Sequence, residues 1–458
     1  MDNLDKFILF REKYPEFIYH SFNITESDQE IRIEYCFEIV GLSEFHPTWV
    51  FKKGEHFNIE KLGREFFENL VFNLGMVELV SYWKITCSPK VTVQIGSLND
   101  EQIAWWKKLY LNGLGEFLYT NGIYTYLQNN NIEFMEIICQ NETEMSFKTT
   151  LHLEGNLIPV GGGKDSVVTL ELLRDMKKDN TCYIVNARGA SRATAKIAGY
   201  ENIYAPKRTL DANMLELNKK GFLNGHTPFS AILAFSSYFS AVILSKKYII
   251  LSNEASANEP NVKGTNINHQ YSKSLEFEND FREYSKKFLC ENGPEYFSLL
   301  RPWTEWQIVR EFVKHDKYFS EFKSCNVGSK QDVWCENCPK CLYVYIMLSA
   351  FLDDNQMQKI FKTDMLDNLE LKDTFSGLIE DNVDKPFECV GMKEEINLSL
   401  NMYVRRLKQG GEKLPVLLKD YDILEENKYL ELLKEYSSKY ITENNVNDVF
   451  AKFLKEVE

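Results

Sequence analysis

Residues 157–173 read LIPVGGGKDSVVTLELL. An apolar run meets three glycines, then Lys164, Asp165 and Ser166, then apolar residues at helical spacing. A strand that turns through glycines into a helix makes a phosphate cradle, because bare backbone N–H groups approach the anion and the helix N-terminus adds positive charge. Three kinds of loop place glycines there. The Walker A pattern fails twice: Asp165 follows Lys164 where a Ser or Thr is required, and the first glycine would fall on Ile158. The dinucleotide pattern G-x-G-x-x-G matches Gly161 and Gly163 but puts Ser166 at the third glycine. Its following strand ends at Asn186, Ala187 and Arg188, with no acid for a ribose. The pyrophosphatase loop S-G-G-x-D-S matches residues 161–166, with Gly161 in place of the first serine. On this reading Gly161, Gly162, Gly163 and Lys164 surround a diphosphate and Ser166 adds a hydroxyl donor at the start of the helix. Asp165 organises Mg²⁺ or the loop itself. Such a loop holds departing pyrophosphate while a carboxylate attacks the α-phosphate of ATP, which makes the chain an adenylating enzyme.

The surroundings fit a nucleotide fold. After the loop come strand-like TCYIVNA (181–187), helix-like RATAKIAGY (192–200) and strand-like NIYAP (202–206). Thr227 as N-cap and Pro228 at the first helical position open a long helix whose apolar face is Ile232, Phe235, Phe239, Val242 and Ile243. YIILSNEAS (248–256) is a further strand. Alternation of this kind predicts an α/β fold with a doubly wound parallel sheet. Ligands sit at the carboxyl ends of such strands, where the glycine loop, Arg188, Asn253 and Glu254 all fall. Arg188 is placed to meet adenine or ribose, and Glu254 to hold Mg²⁺.

Residues 1–150 read as an α+β domain. IRIEYCFEIV (31–40) alternates through Ile31, Ile33, Tyr35, Phe37 and Ile39, and KVTVQIG (90–96) repeats the pattern. Helices are expected at about 58–75 and 100–128, with Trp105 and Trp106 in the core. Residues 151–325 form the nucleotide-binding domain and 326–410 a cysteine knuckle with a helical substrate region. A helical tail, 411–458, follows a break at Gly410 and Gly411.

Composition narrows the class. The 458 residues are 44% apolar and 14% aromatic, enough for large buried cores, and carry a net charge of −14. That charge disfavours a nucleic-acid partner. Charges interrupt the N-terminal segment, and the apolar run at 228–244 is short for a membrane span, so no membrane partner and a cytoplasmic location are expected. Four of the ten cysteines, Cys325, Cys335, Cys338 and Cys341, form C-x9-C-x2-C-x2-C. In a reducing compartment this is a metal site rather than a disulfide set. A closed tetrahedral Cys₄ shell suits structural Zn²⁺, with an iron–sulfur cluster as the alternative.

Several stretches carry a more specific resemblance: GGGKDS (161–166), LNGHTPFSA (223–231), SNEASAN (252–258), NHQYSKSLEFE (268–278), CENCPKC (335–341) and KPFECVG (385–391). With ELVSYWKITCSP (78–89) and GLGEFLYTNGI (113–123), they make residues 65–400 resemble the ATP-dependent UDP-N-acetylmuramoyl-L-alanyl-L-glutamate epimerases. The resemblance implies a UDP-linked muramoyl dipeptide as substrate, ATP with Mg²⁺ or Mn²⁺, formation of AMP and pyrophosphate, and inversion of the terminal L-glutamate. The chemistry is coherent: esterifying the carboxylate with AMP removes the negative charge beside which a carbanion would have to form. General acid and base then need side chains that titrate near the working pH. His226, His269, Lys273, Glu254, Glu276, Glu278 and Cys389 are the candidates. Another adenylating enzyme on the same fold, such as an amide- or nitrile-forming synthase, a tRNA thiolase or an epimerase of a different peptide, is the alternative.

Overall fold

The computed structural model describes residues 1–55, 57–140 and 149–455. It contains two compact units, neither of them a continuous stretch of chain. One comprises Met1–Leu157, Tyr204–Ile249 and Asn266–Tyr296; the other comprises Ile158–Ile203, Ile250–Thr265 and Phe297–Glu458.

The first unit is built on a mixed seven-stranded sheet. Its order is Lys207–Thr209, Thr48–Lys52, Glu30–Ile39, Glu16–Glu26, Lys90–Val93 and Glu136–Cys139, with Ser43–Phe45 also pairing with Glu30–Ile39. Strands Glu16–Glu26 and Glu30–Ile39 form an antiparallel hairpin in the register Phe17↔Ile39 and Ile24↔Ile33, interrupted between Tyr19 and Ser21. Lys90–Val93 lies parallel to both of its neighbours. The expected alternation holds: Ile31, Ile33, Tyr35, Phe37 and Ile39 are all fully buried. Helix Arg64–Trp83 packs on this face and is buried along almost its whole length. Gly75 permits the contact, since a Cβ there would fall 2.0 Å from the Tyr19 hydroxyl. Within the helix, Glu78 is fully buried and receives Arg208 through both carboxylate oxygens (Nη2–Oε1 2.6 Å, Nε–Oε2 2.9 Å), while the Trp49 indole donates to Oε2 at 3.1 Å. Trp106 is fully buried and Trp105 half-buried, both with their rings against Phe235 and Tyr284.

Helix boundaries differ from expectation in three places. The segment expected at about 58–75 is a single turn, Ile59–Leu62, then Gly63 at φ +98°, then Arg64–Trp83. The segment expected at about 100–128 is three helices, Asp100–Gly113, Gly115–Thr120 and Ile123–Asn130, separated at Leu114 and at Asn121 with Gly122. Gly122 sits at φ +72°, which ends a helix at little cost for glycine alone. The long helix spans Phe229–Ile243 with Pro228 itself as N-cap, because the Thr227 hydroxyl accepts from Lys84 Nζ at 2.5 Å.

A second sheet has the order Glu295–Ser298, Tyr248–Leu251, Asn156–Pro159, Asn180–Tyr183 and Ile203–Tyr204. Tyr248–Leu251 and Asn156–Pro159 pair in parallel, with Tyr248↔Asn156 and Ile249↔Leu157. The whole is a mixed α/β architecture with parallel pairs and many helices. Residues 346–455 contain helices and no strand, including Lys393–Gly410, which ends on Gly411 at φ +68°. No helix among the described residues is long and apolar enough to cross a membrane.

Candidate functional site

The fully buried strand Asn156–Pro159 runs into the glycine loop of the second unit, and helix Lys164–Leu172 follows with Gly163 as N-cap. The helix thus begins two residues before Ser166, the expected start. Ser166 Oγ turns back and accepts from the Gly161 N–H at 3.0 Å, closing the loop. Gly162 is at φ +89°, and a Cβ there would lie 2.5 Å from Ser191 N and 2.7 Å from Ala190 C. The N-terminus of helix Gly189–Ile197 therefore presses directly on Gly162. Gly161 differs, because a Cβ there would have no neighbour nearer than Ser166 Oγ at 3.8 Å. Two residues just before Cys325 hold the other side. Lys323 N–H donates to Gly162 O at 3.0 Å, and Ser324 Oγ lies 2.7 Å from where a Cβ on Gly163 would be. Asp332 Oδ1 accepts from Ala190 N–H at 2.9 Å.

Below the loop lies a buried ionic cluster. Lys164 is 1% exposed; its ammonium contacts Asp165 Oδ1 at 2.5 Å and also binds Glu305 Oε2. Burial opposes its charge, but Asp165, Glu305 and Glu254 outweigh it and hold Lys164 protonated well above the ordinary lysine range. One carboxylate oxygen each from Asp165, Glu254 and Glu305 lies within 4.8 Å of the other two. Burial, with Asp165 and Glu254 nearby, pushes the Glu305 carboxyl up to about 7 in spite of Lys164. Hard oxygen donors so close together fit Mg²⁺ or Mn²⁺. Arg301, fully buried, donates to the Glu254 carbonyl at 2.5 Å and fixes that strand end. Asn253 donates to Ser298 Oγ at 3.1 Å, and Arg188 is exposed at the N-cap of helix Gly189–Ile197.

The four cysteines converge. Cys325 and Cys338 Sγ stand 3.9 Å apart and Cys335 and Cys341 Sγ 3.7 Å apart, with all four within 4.8 Å of one another. Thiolates about 2.3 Å from one ion at tetrahedral corners stand about 3.8 Å apart. The donor set therefore fits a single four-coordinate ion, and the separations are far beyond a disulfide's.

The first unit carries a different cluster. His269 Nδ1 hydrogen-bonds Glu116 Oε2, and His226 Nδ1 lies 3.3 Å from the same oxygen. The two imidazole centroids are 4.5 Å apart. Burial, followed by the neighbouring His269, Lys84 and Lys273, pushes His226 down to about 3, so its imidazole is neutral at physiological pH. Lys84 lies beneath it, 6% exposed, donating to Gly225 O and Thr227 Oγ1. Burial pushes its ammonium down to about 8. Lys273 is half-buried in the turn Tyr271–Lys273. Of the remaining candidates, Glu276 pairs with Lys108 at 2.8 Å, Glu278 is buried, and the Cys389 carbonyl accepts from Lys340.

Residue patterns thus picked out Asp165 and Glu254, which come together, and His226 and His269, which come together. They missed Glu305, Glu116 and Lys84. Glu305 sits in a capped helix start, TEWQ, that reads as structural, and Lys84 is one cation at the end of an apolar helix. Neither has a spacing that announces chemistry.

Two family models match the chain, the MurL N-terminal domain over residues 9–299 and the MurL C-terminal domain over residues 321–426. A protein of Xanthomonas oryzae pv. oryzae named UDP-N-acetyl-alpha-D-muramoyl-L-alanyl-L-glutamate epimerase is 32% identical over 341 residues, covering 73% of this chain and 74% of its own. Proteins of the same name from Salinispora tropica and a Micromonospora species are each 32% identical, covering 72% of this chain and 72% and 73% of theirs. No solved structure matches the chain. Matched by both models and by relatives over nearly three quarters of its length, the chain belongs to the MurL epimerase family.

Proposed function

We propose that this chain inverts the terminal L-glutamate of UDP-N-acetylmuramoyl-L-alanyl-L-glutamate through an acyl adenylate, with ATP as co-substrate. The observation that carries the ATP step is the glycine loop, pinned at Gly162 and leading into Asp165 and the buried Lys164. The five-stranded sheet is accordingly read as a doubly wound pyrophosphatase-loop sheet in a cytoplasmic enzyme. A glutamate carboxylate oxygen attacks the α-phosphorus of ATP, the bond to the β-phosphate oxygen breaks, and pyrophosphate leaves into the loop. The backbone N–H groups around Gly162 and Gly163 and the N-terminus of helix Lys164–Leu172 receive it. Asp165 and Glu254 would hold Mg²⁺ or Mn²⁺, which supplies charge neutralisation for the phosphates. Arg188 and Asn253 take the nucleoside.

The adenylate has lost the carboxylate's charge, so its α-proton can be removed to leave an enolate. His226 is neutral and therefore able to accept a proton; His269 with Glu116 forms a second proton carrier, and Lys273 offers a cation for the substrate's anionic groups. Return of a proton to the opposite face inverts the centre, and water cleaves the adenylate to AMP and the D-glutamate product. Cys325, Cys335, Cys338 and Cys341 would hold one structural Zn²⁺, whose closed shell leaves no position for substrate.

The test is incubation with ATP, Mg²⁺ and the muramoyl dipeptide in D₂O. The reading requires D-glutamate carrying α-deuterium together with AMP. ADP in place of AMP, or product without deuterium, refutes it.

A further inference from the structure

Lys84 caps the C-terminal end of helix Arg64–Trp83 in the first unit and is 6% exposed, yet among the described residues no carboxylate pairs with its ammonium. An ammonium buried without a counter-ion is costly, and a neutral side chain of the same length would be cheaper to enclose. Its N–H groups go instead to one loop. Nζ donates to the Gly225 carbonyl, to Thr227 Oγ1 at 2.5 Å and, at 3.4 Å, to the His226 carbonyl. The next residue adds to the hold, the Ile85 carbonyl accepting from Leu223 N–H at 3.3 Å.

Those acceptors bracket His226. The Gly225 carbonyl belongs to the peptide plane before it and the His226 carbonyl to the plane after it. Peptide planes are rigid, so holding both fixes the two backbone dihedrals of His226, and with them the direction of its side chain. The loop needs such a hold, because glycine at 225 restrains the chain least of all residues. Phe117 closes another side: a Cβ on Gly225 would lie 2.9 Å from its ring. Phe117 follows Glu116 in helix Gly115–Thr120, and Glu116 Oε2 is the atom that meets both His226 Nδ1 and His269 Nδ1.

We propose that Lys84 is a positioning residue for proton transfer: through the peptides on either side of His226, its ammonium holds that imidazole against Glu116, where it can take up a proton. The assignment rests on the reading of His226 as a proton carrier. Full-length wild type is compared with Lys84→Met and with Thr227→Val, which removes one acceptor and keeps the charge. The first readout needs no substrate. In ¹H–¹⁵N spectra of histidine-labelled protein the His226 signal should shift in Lys84→Met and, by less, in Thr227→Val. The signal of His20, held elsewhere by Gln94 and Glu38, should stay in place. A His226 signal unmoved in both variants overturns the proposal whether or not the chain is an epimerase. The second readout uses ATP, Mg²⁺ and the muramoyl dipeptide. Deuterium uptake at the α-carbon from D₂O should fall about 100-fold in Lys84→Met, while isotope exchange between pyrophosphate and ATP, which needs only the adenylate, should stay within about twofold of wild type. Equal losses in the two half-reactions mark a merely structural lysine and overturn the proposal. Should Lys84→Met fail to fold, Thr227→Val decides alone: a shifted His226 with reduced uptake and intact exchange supports the role, and wild-type behaviour overturns it. A wild type that takes up no deuterium overturns the epimerase reading instead, and the His226 signal then judges Lys84.

Discussion

Replacing Gly162 by alanine tests the loop most directly. The new Cβ would sit 2.5 Å from Ser191 N, 2.7 Å from Ala190 C and 2.9 Å from Ser191 Cα, all backbone atoms at the start of helix Gly189–Ile197. The closest approach is about 0.9 Å short of ordinary contact, so the loop must move by a comparable amount. The φ of +89° adds a backbone penalty of about 1–2 kcal/mol for a non-glycine residue. A displacement near 1 Å at a phosphate site costs on the order of 100-fold in rate, or about 2.7 kcal/mol of transition-state stabilisation. Gly161→Ala is the control, since its Cβ would meet nothing closer than 3.8 Å. Pyrophosphate release should fall about 100-fold in Gly162→Ala and by no more than about threefold in Gly161→Ala. Melting should fall by a few degrees in the first and scarcely in the second. Equal losses in the two variants, or a fully active Gly162→Ala, would show that residues 161–166 do not grip the phosphates in this conformation.

Three further outcomes are expected. Arg208→Met leaves the fully buried Glu78 carboxylate with the Trp49 indole as its remaining partner among the described residues, and should cost about 3–5 kcal/mol in urea unfolding; adding Glu78→Leu should restore most of it. Cys341→Ser should lose bound zinc by elemental analysis and several kcal/mol of stability, while an unchanged metal content would refute the four-thiolate site. His226 titrates near 3 when folded against 6.5 when unfolded, so its contribution to stability is complete above pH 6.5 and shrinks as pH falls toward 3. The loss is at most about 1.4 kcal/mol per pH unit, and His226→Gln should flatten the slope measured between pH 7 and 5.

What could be read from the chain follows from how local each signal is. The alternation at 31–39 and the C-x2-C-x2-C spacing are set by period and reach within a few residues, and both are realised. Asp165 and Glu254 were legible because strand ends collect ligands in parallel sheets. Glu305 was not, because nothing local relates residue 305 to residue 164; only the folded chain brings its carboxylate to Lys164. The Thr227 hydroxyl looked like a helix cap and instead receives Lys84, a partner 143 positions away. Helix ends moved for a local reason instead: Gly63 and Gly122, at positive φ, break runs whose apolar spacing alone would continue.

The brace on Gly162 and Gly163 has a practical corollary. Residues 323, 324 and 332, bracketing the first thiolate, buttress the turn from two directions. On the proposed reading, a purification that strips metal from the four thiolates, or a cell under oxidative load, would then blunt ATP turnover at a stage when circular dichroism still looks normal. Activity, rather than helix content, is the sensitive gauge of whether this thiol knot is intact.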